Sequence, residues 1–292
     1  MSSQRGCDRN ANDLSPYAGV AGMSRGGIAH IVTVGTSVIR NVPVLAPRLG
    51  LPDELVEKFR RWAQAPPRSP EDAEAGRSAS PGCEEFERAL DVLASDPYVV
   101  SAELNAMKRY LEARMVDAAV LLASDTGASE FSARVLGEYL SSGGIRVEVH
   151  RVRDLGLDFH SGLLNLIDAA AAAITKYRRE GYRVWINLTG GFKLETAILY
   201  LAACLSRMGV ERAYYIHETM KDTVEAPVIP VKLEDYLLDV ARALGTGEAP
   251  ADEVQARIGS RVLDELLRRG IAERVGTSVR VRKWVLHLAG GL

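Results

Sequence analysis

Cysteine and aromatic residues are scarce in this chain. Aromatics make up 6% of its 292 residues, and the cysteines are Cys7, Cys83 and Cys204. None of the three has metal or redox spacing, which argues against a disulfide framework and fits a reducing cytoplasm. No window approaches about 18 uninterrupted apolar residues, so no membrane-spanning helix is expected. Net charge is also small, −2 with a pI near 6.3. No global basic field gathers long nucleic acid, so a nucleotide ligand has to be held by a local site. His30, His150, His160, His217 and His287 are scattered without metal-ligand spacing. No metal or other cofactor is expected, and no serine–histidine–aspartate logic emerges. Neither G-x-G-x-x-G nor G-x-x-x-x-G-K-[ST] occurs at the glycine loops. The first 27 residues lack an apolar core of the signal-peptide kind and are rich in Ser, Gly, Asn and Arg, so residues 1–27 read as a disordered extension.

Beyond residue 27 the pattern alternates. Apolar strand-like runs occur at 28–34, 117–123, 145–152, 182–188 and 212–217, with a further candidate at 227–231. Helical patterns fill 52–62, 84–94, 101–114, 129–140, 163–179 and 194–208, with Ser101 as a cap. Strands separated by helices imply parallel pairing through right-handed crossovers. The fold class is α/β, a Rossmann-like doubly wound and mostly parallel sheet over 28–232. Its ligands bind beyond the carboxyl ends of the strands, at a switch point. Residues 63–83 are dense in Pro, Ser, Gly, Ala and Glu and read as a flexible insertion, expected to stay clear of the ligand loops.

Three loops at strand ends carry the chemistry. Thr189-Gly190-Gly191 with Lys193 links an apolar run to a long apolar helix. Bare backbone N–H groups, a helix N-terminus and a lysine meet there, which makes an anion site. Gly35-Thr36-Ser37 repeats the arrangement after the first strand; read alone, it is equally a tight turn. Ser124-Asp125-Thr126 follows the strand at 117–123 and serves either as a ribose or base contact or as a helix cap.

The tail, 233–292, reads as a small C-terminal domain. Two short helices joined at Gly259 are followed by a hairpin around Gly276-Thr277-Ser278, which is the winged-helix pattern. From 251 to 292 there are eight Lys/Arg against five Asp/Glu, a net of about +3. That excess leaves duplex DNA and a structural contact both open as the tail's partner.

Taken together, Gly35-Thr36-Ser37, Ser124-Asp125-Thr126 and Thr189-Gly190-Gly191-Phe192-Lys193 resemble the CRISPR-associated Rossmann-fold (CARF) family. The likeness is to its stand-alone ring nucleases with a C-terminal winged helix. The resemblance covers roughly 28–231 in the order of motifs and the tail in architecture. It implies a cytoplasmic homodimer that binds cyclic tetra-adenylate across its two-fold axis and cuts it without metal to linear di-adenylate with a 2′,3′-cyclic phosphate. This would end type III CRISPR signalling. By the same resemblance Ser37 and Lys193 form the catalytic pair. Gly35, Thr36, Thr189, Gly190 and Gly191 supply donors, and Ser124, Asp125 and Thr126 add ligand contacts. The alternative expectation is a sensor, or a winged-helix transcription regulator, that binds the ring without cutting it.

Overall fold

The computed structural model describes residues 26–206, 209–216 and 222–288. Most of the 1–27 extension, with Cys7, and also His217 fall outside the described residues. The chain runs β1 (Ile28–Val34), α1 (Ser37–Leu49), α2 (Asp53–Gln64), α3 (Pro70–Arg77), α4 (Glu84–Ser95), α5 (Pro97–Val100), α6 (Ala102–Glu112) and β2 (Ala118–Ala123). It continues through α7 (Gly127–Ser142), β3 (Arg146–Arg151), α8 (Phe159–Arg179), β4 (Arg183–Asn187), α9 (Lys193–Leu205), β5 (Arg212–Tyr215) and β6 (Val224–Ala226). The tail holds α10 (Asp235–Leu244), β7 (Ala249–Pro250), α11 (Ala251–Ile258), α12 (Ser260–Arg268), β8 (Ala272–Val275), β9 (Ser278–Val281) and α13 (Lys283–Leu288).

The sheet order is β3-β2-β1-β4-β5-β6. The pairs from β3 to β5 are parallel, and β6 runs antiparallel to β5. Every residue of β1 and β2 is buried. That explains why both strands read as continuous apolar runs rather than alternating ones. One face of the sheet, with Ile31, Val120 and Ile186, packs on Leu166 and Tyr177 of α8, on Leu199 of α9 and on the tail. The other, with Val32, Leu121 and Trp185, packs on Phe59 of α2, Leu104 of α6 and Phe131 of α7. The fold is thus α/β with helices on both faces, as expected. Its order reverses between β1 and β4, which places a switch point beyond their carboxyl ends.

Several elements differ from the sequence reading. Helix α1 has Pro43 and Pro47 in its interior, which normally argues against helix. Its buried face, Val38, Ile39, Val42, Leu45 and Ala46, outweighs that cost. The last sheet strand is 224–226 rather than 227–231. The 63–83 segment contains α3, with Asp72, Ala75 and Ala79 buried. Ser69 caps it by accepting from the Asp72 amide at 3.2 Å, and Pro70 begins it. Composition had masked an ordinary helix start: cap, proline, then two acids.

The tail has the expected order of two helices and a hairpin, with β7 added beside β9. Arg282 fastens it to α8. Its guanidinium donates to Asp168 at 2.7 Å, to Asn165 at 2.9 Å and to Glu273 at 2.7 Å.

His30 sits at the opposite end of β1 from the switch point, wholly buried among Tyr110, Trp185 and Tyr214. The Met115 carbonyl can only accept, so Nε2 carries the hydrogen (3.0 Å) and Nδ1 accepts from the Tyr214 hydroxyl (2.6 Å). Burial holds its pKa down to about 4, against the opposing pull of Met115 and Asp117. Between pH 6.5 and 4 the unfolded chain therefore takes up a proton that the folded one refuses. Stability from this group is complete above pH 6.5 and falls as pH drops toward 4, by roughly 3 kcal/mol in total. Urea unfolding at pH 7 and pH 4.5 measures this; His30→Gln should flatten the slope over that window.

Candidate functional site

The carboxyl ends of β4, β1 and β2 lie side by side, and the three loops that follow them open onto one cavity of ≈ 560 Å³. Gly35, Thr36, Ser37, Ser124, Thr126, Thr189, Gly190 and Gly191 all line it. Asp125 does not. Its carboxylate accepts from Arg151 Nε at 2.7 Å and from the Asp154 amide at 2.9 Å, which ties the end of β3 to the loop after β2. Lys193 is also absent from the lining; it is the first residue of α9, exposed, and has no ion-pair partner among the described residues. It stands next to Phe192, which does line the cavity.

The two glycine loops meet backbone to backbone. Thr33 donates its hydroxyl to the Gly190 carbonyl at 2.7 Å. A Cβ on Gly190 would come within 2.1 Å of the Thr33 carbonyl oxygen. Gly191 has φ +87°, a conformation that side chains disfavour. Asn187, at the end of β4, accepts from the Thr189 amide (3.0 Å) and donates to the Glu103 carbonyl (3.0 Å). Thr189 in turn accepts from the Ile216 amide at 3.2 Å.

Not all of the amides expected to serve a ligand are free. The Gly35 N–H donates to Glu103 Oε1 at 2.9 Å, and the Phe192 N–H to Glu195 Oε2 at 3.1 Å. The Gly35 amide is thereby removed from the set of expected ligand donors. The amides of Thr36, Ser37, Gly190 and Gly191 have no protein acceptor among the described residues. Thr36, the N-cap of α1, makes no side-chain cap bond, so the start of that helix is open to an anion. Thr126, by contrast, caps α7 by accepting from the Ser129 amide at 3.2 Å, and its Oγ1 lies 3.2 Å from Ser124 Oγ. Burial raises the Glu195 carboxyl above its ordinary pKa, and the Phe192 amide opposes that shift.

Four features escaped the sequence reading. Glu103, buried at the start of α6, touches the Gly35 loop. Arg40, in the first turn of α1, lines the cavity, is exposed and has no ion-pair partner among the described residues; its position one turn after Ser37 was the available signal. Phe192 is 61% exposed and meets Phe159, 57% exposed, edge to face at 6.4 Å. The fourth is the wall. Trp62, Ala63, Ala65, Pro67 and Asp72 line the cavity, so the 63–83 segment does not stay clear of the site. Asp72 fixes it there, accepting from the Ala128 amide at 3.0 Å and from the Arg68 amide at 3.0 Å. Among the described residues no cluster of His, Cys, Asp or Glu is arranged to hold a metal ion.

One comparison bears on this geometry. The family model described as "CRISPR-associated protein (Cas_APE2256)" matches residues 98–229. The chain is therefore similar to a CRISPR-associated, CARF-containing family from α5 to just past β6. The match includes Glu103, Ser124 to Thr126 and Thr189 to Lys193. It leaves out Gly35 to Ser37, Arg40 and the wall at 63–83.

Backbone crowding makes Gly190 and Gly35 unequal. Gly190→Ala should lower stability by about 2–3 kcal/mol, because the Thr33 backbone cannot yield. The added methyl of Gly35→Ala would meet nothing nearer than 3.6 Å, and the change should cost under about 1 kcal/mol. Chemical denaturation of both variants tests the difference.

Proposed function

We propose that this protein is a ring nuclease that binds cyclic tetra-adenylate and cleaves it to linear di-adenylate with 2′,3′-cyclic phosphate ends, switching off type III CRISPR signalling. The observation that carries the proposal is the convergence on one cavity of amides from two glycine loops that have no protein acceptor among the described residues, the uncapped start of α1, and Arg40, which has no ion-pair partner among them. Such a site is built for several phosphates. Phe192 adds an exposed ring on which a base can stack. The similarity to a CRISPR-associated family over 98–229 supplies the biological context.

The cavity is of the size that holds a drug-sized ligand, smaller than a four-nucleotide ring. The reading therefore requires two protomers. A ring of four phosphates can share their two-fold axis, each protomer holding half. No described helix is long and apolar enough to cross a membrane, and the reading uses none.

Cleavage needs no protein nucleophile. The ribose 2′-OH attacks the adjacent phosphorus in line, the P–O5′ bond breaks, and a cyclic phosphate and a 5′-OH result. The protein holds this geometry, which is worth up to about 7–11 kcal/mol in favourable cases. The amides of Gly190 and Gly191 and the start of α1 face the phosphate. Lys193, at the rim, and Arg40 neutralise charge that grows on its oxygens. Ser37 positions the 2′-OH. A single well-aimed donor of this kind contributes about 3–4 kcal/mol.

The tail, from 233 onward, we read as a winged-helix domain with a supporting role. Helix α12 carries Asp264 and Glu265 between Arg261 and Arg268, and Glu265 pairs with Arg269 at 2.9 Å. That mixture of charge does not favour duplex DNA.

Labelled cyclic tetra-adenylate incubated with the protein in EDTA should yield linear di-adenylate ending in a cyclic phosphate. Lys193→Ala should slow cleavage by about 100-fold or more, and Arg40→Ala should weaken ring binding about tenfold. Tight binding of a ring that stays whole would overturn the enzyme reading and leave a sensor.

A further inference from the structure

One buried acid in the site has no role in the chemistry above. Glu103 is 2% exposed and sits at the start of α6. Its carboxylate accepts three hydrogen bonds: Ser37 Oγ at 2.6 Å and Ser101 Oγ at 2.8 Å on Oε2, and the Gly35 amide at 2.9 Å on Oε1. Among the described residues no cation pairs with it. Three neutral donors therefore carry the burial of the charge.

This arrangement fixes the direction of two hydroxyl hydrogens. An ionised carboxylate only accepts. Ser101 Oγ accepts from the Leu104 amide at 3.1 Å, so its hydrogen goes to Glu103. Ser37 Oγ accepts a long contact from the Ala102 amide, 3.4 Å, and its hydrogen likewise goes to Glu103. Ser37 nevertheless lines the cavity. What it offers a ligand is an oxygen lone pair, since its hydrogen is already committed.

Glu103 also reaches the second loop. Its carbonyl accepts from Asn187, which holds the Thr189 amide. A Cβ on Gly190 would approach Glu103 Oε1 to 2.9 Å. A single side chain thus sets the position of Ser37 and lies directly beneath the loop that is to face the phosphate.

Resting on the ring-cleavage reading, we propose that Glu103 is a positioning residue that turns Ser37 into a hydrogen-bond acceptor for the attacking ribose 2′-OH. As the O2′–P bond forms, the 2′ proton passes to Ser37 Oγ and the serine's own proton passes to Glu103. The P–O5′ bond breaks and O5′ takes a proton from water. The hydroxide left behind is neutralised when Glu103 gives its proton back to solvent. Serine keeps its hydroxyl throughout and forms no bond to phosphorus.

Glu103→Gln separates this role from simple support. The amide oxygen can still accept from Gly35, while its NH₂ group donates toward Ser37 and forces the serine hydrogen out into the cavity. The variant should fold and bind cyclic tetra-adenylate within about threefold of wild type, with KM little changed and kcat at least about 100-fold lower. Glu103→Asp, which keeps the charge but withdraws it from Ser37, should show the same split between kcat and KM. Wild-type kcat in either folded variant would overturn the role. So would melting of both variants below the assay temperature, which would mark Glu103 as structural alone. A wild-type protein that leaves the ring whole would overturn the ring-cleavage reading beneath it, a failure told apart by needing no variant.

Discussion

Everything at the switch point depends on how closely two stretches of backbone approach each other. The Thr33 carbonyl and Gly190 lie so near that no side chain fits between the end of β1 and the loop after β4. The Thr33 hydroxyl closes the gap by donating to the Gly190 carbonyl. This contact brings the start of α1 and the start of α9 to one cavity. Parallel pairing of β1 with β4 sets their spacing, and the reversal of strand order leaves the crevice open above them. β2, buried along its whole length, flanks β1 on the other side, and the exposed strands β3 and β6 form the edges of the sheet.

The parallel strands β1 to β5 and most helices could be read directly from the sequence pattern, because buried parallel strands and amphipathic helices leave strong signals. The grouping of the loops was legible too: Gly35 to Ser37, Ser124, Thr126 and Thr189 to Gly191 share one cavity, while Lys193 is not in its lining. Asp125 was not, since its partners Arg151 and Asp154 come together only when β3 lies beside β2. Glu103 gave no sequence signal, as its distance from Ser37 is 66 residues along the chain. Helix α1 was hidden by its prolines, whose effect is local while the burial that overrides it is tertiary.

The loops illustrate how competition for donors shapes a site. A glycine-rich turn at a helix start looks like a set of free amides. In the folded chain the carboxylates of Glu103 and Glu195 claim the amides of Gly35 and Phe192. What remains open is a smaller and more selective set, concentrated on Gly190, Gly191 and the first turn of α1. Buried acids beside a proposed anion site are not a contradiction once each has its own donors.

The cavity's floor and its side wall come from different parts of the chain. The floor is made by loops after β1, β2 and β4, whereas the wall from Trp62 to Asp72 is a helical excursion between β1 and β2, held to α7 by the Asp72 carboxylate at its start and by Trp62 against Phe131. Substitutions in that excursion can reshape the space beside the loops while the sheet and the loops at its switch point stay as they are. On the proposed reading, discrimination by ligand size and the cleavage step are separable inheritances, free to change at different rates.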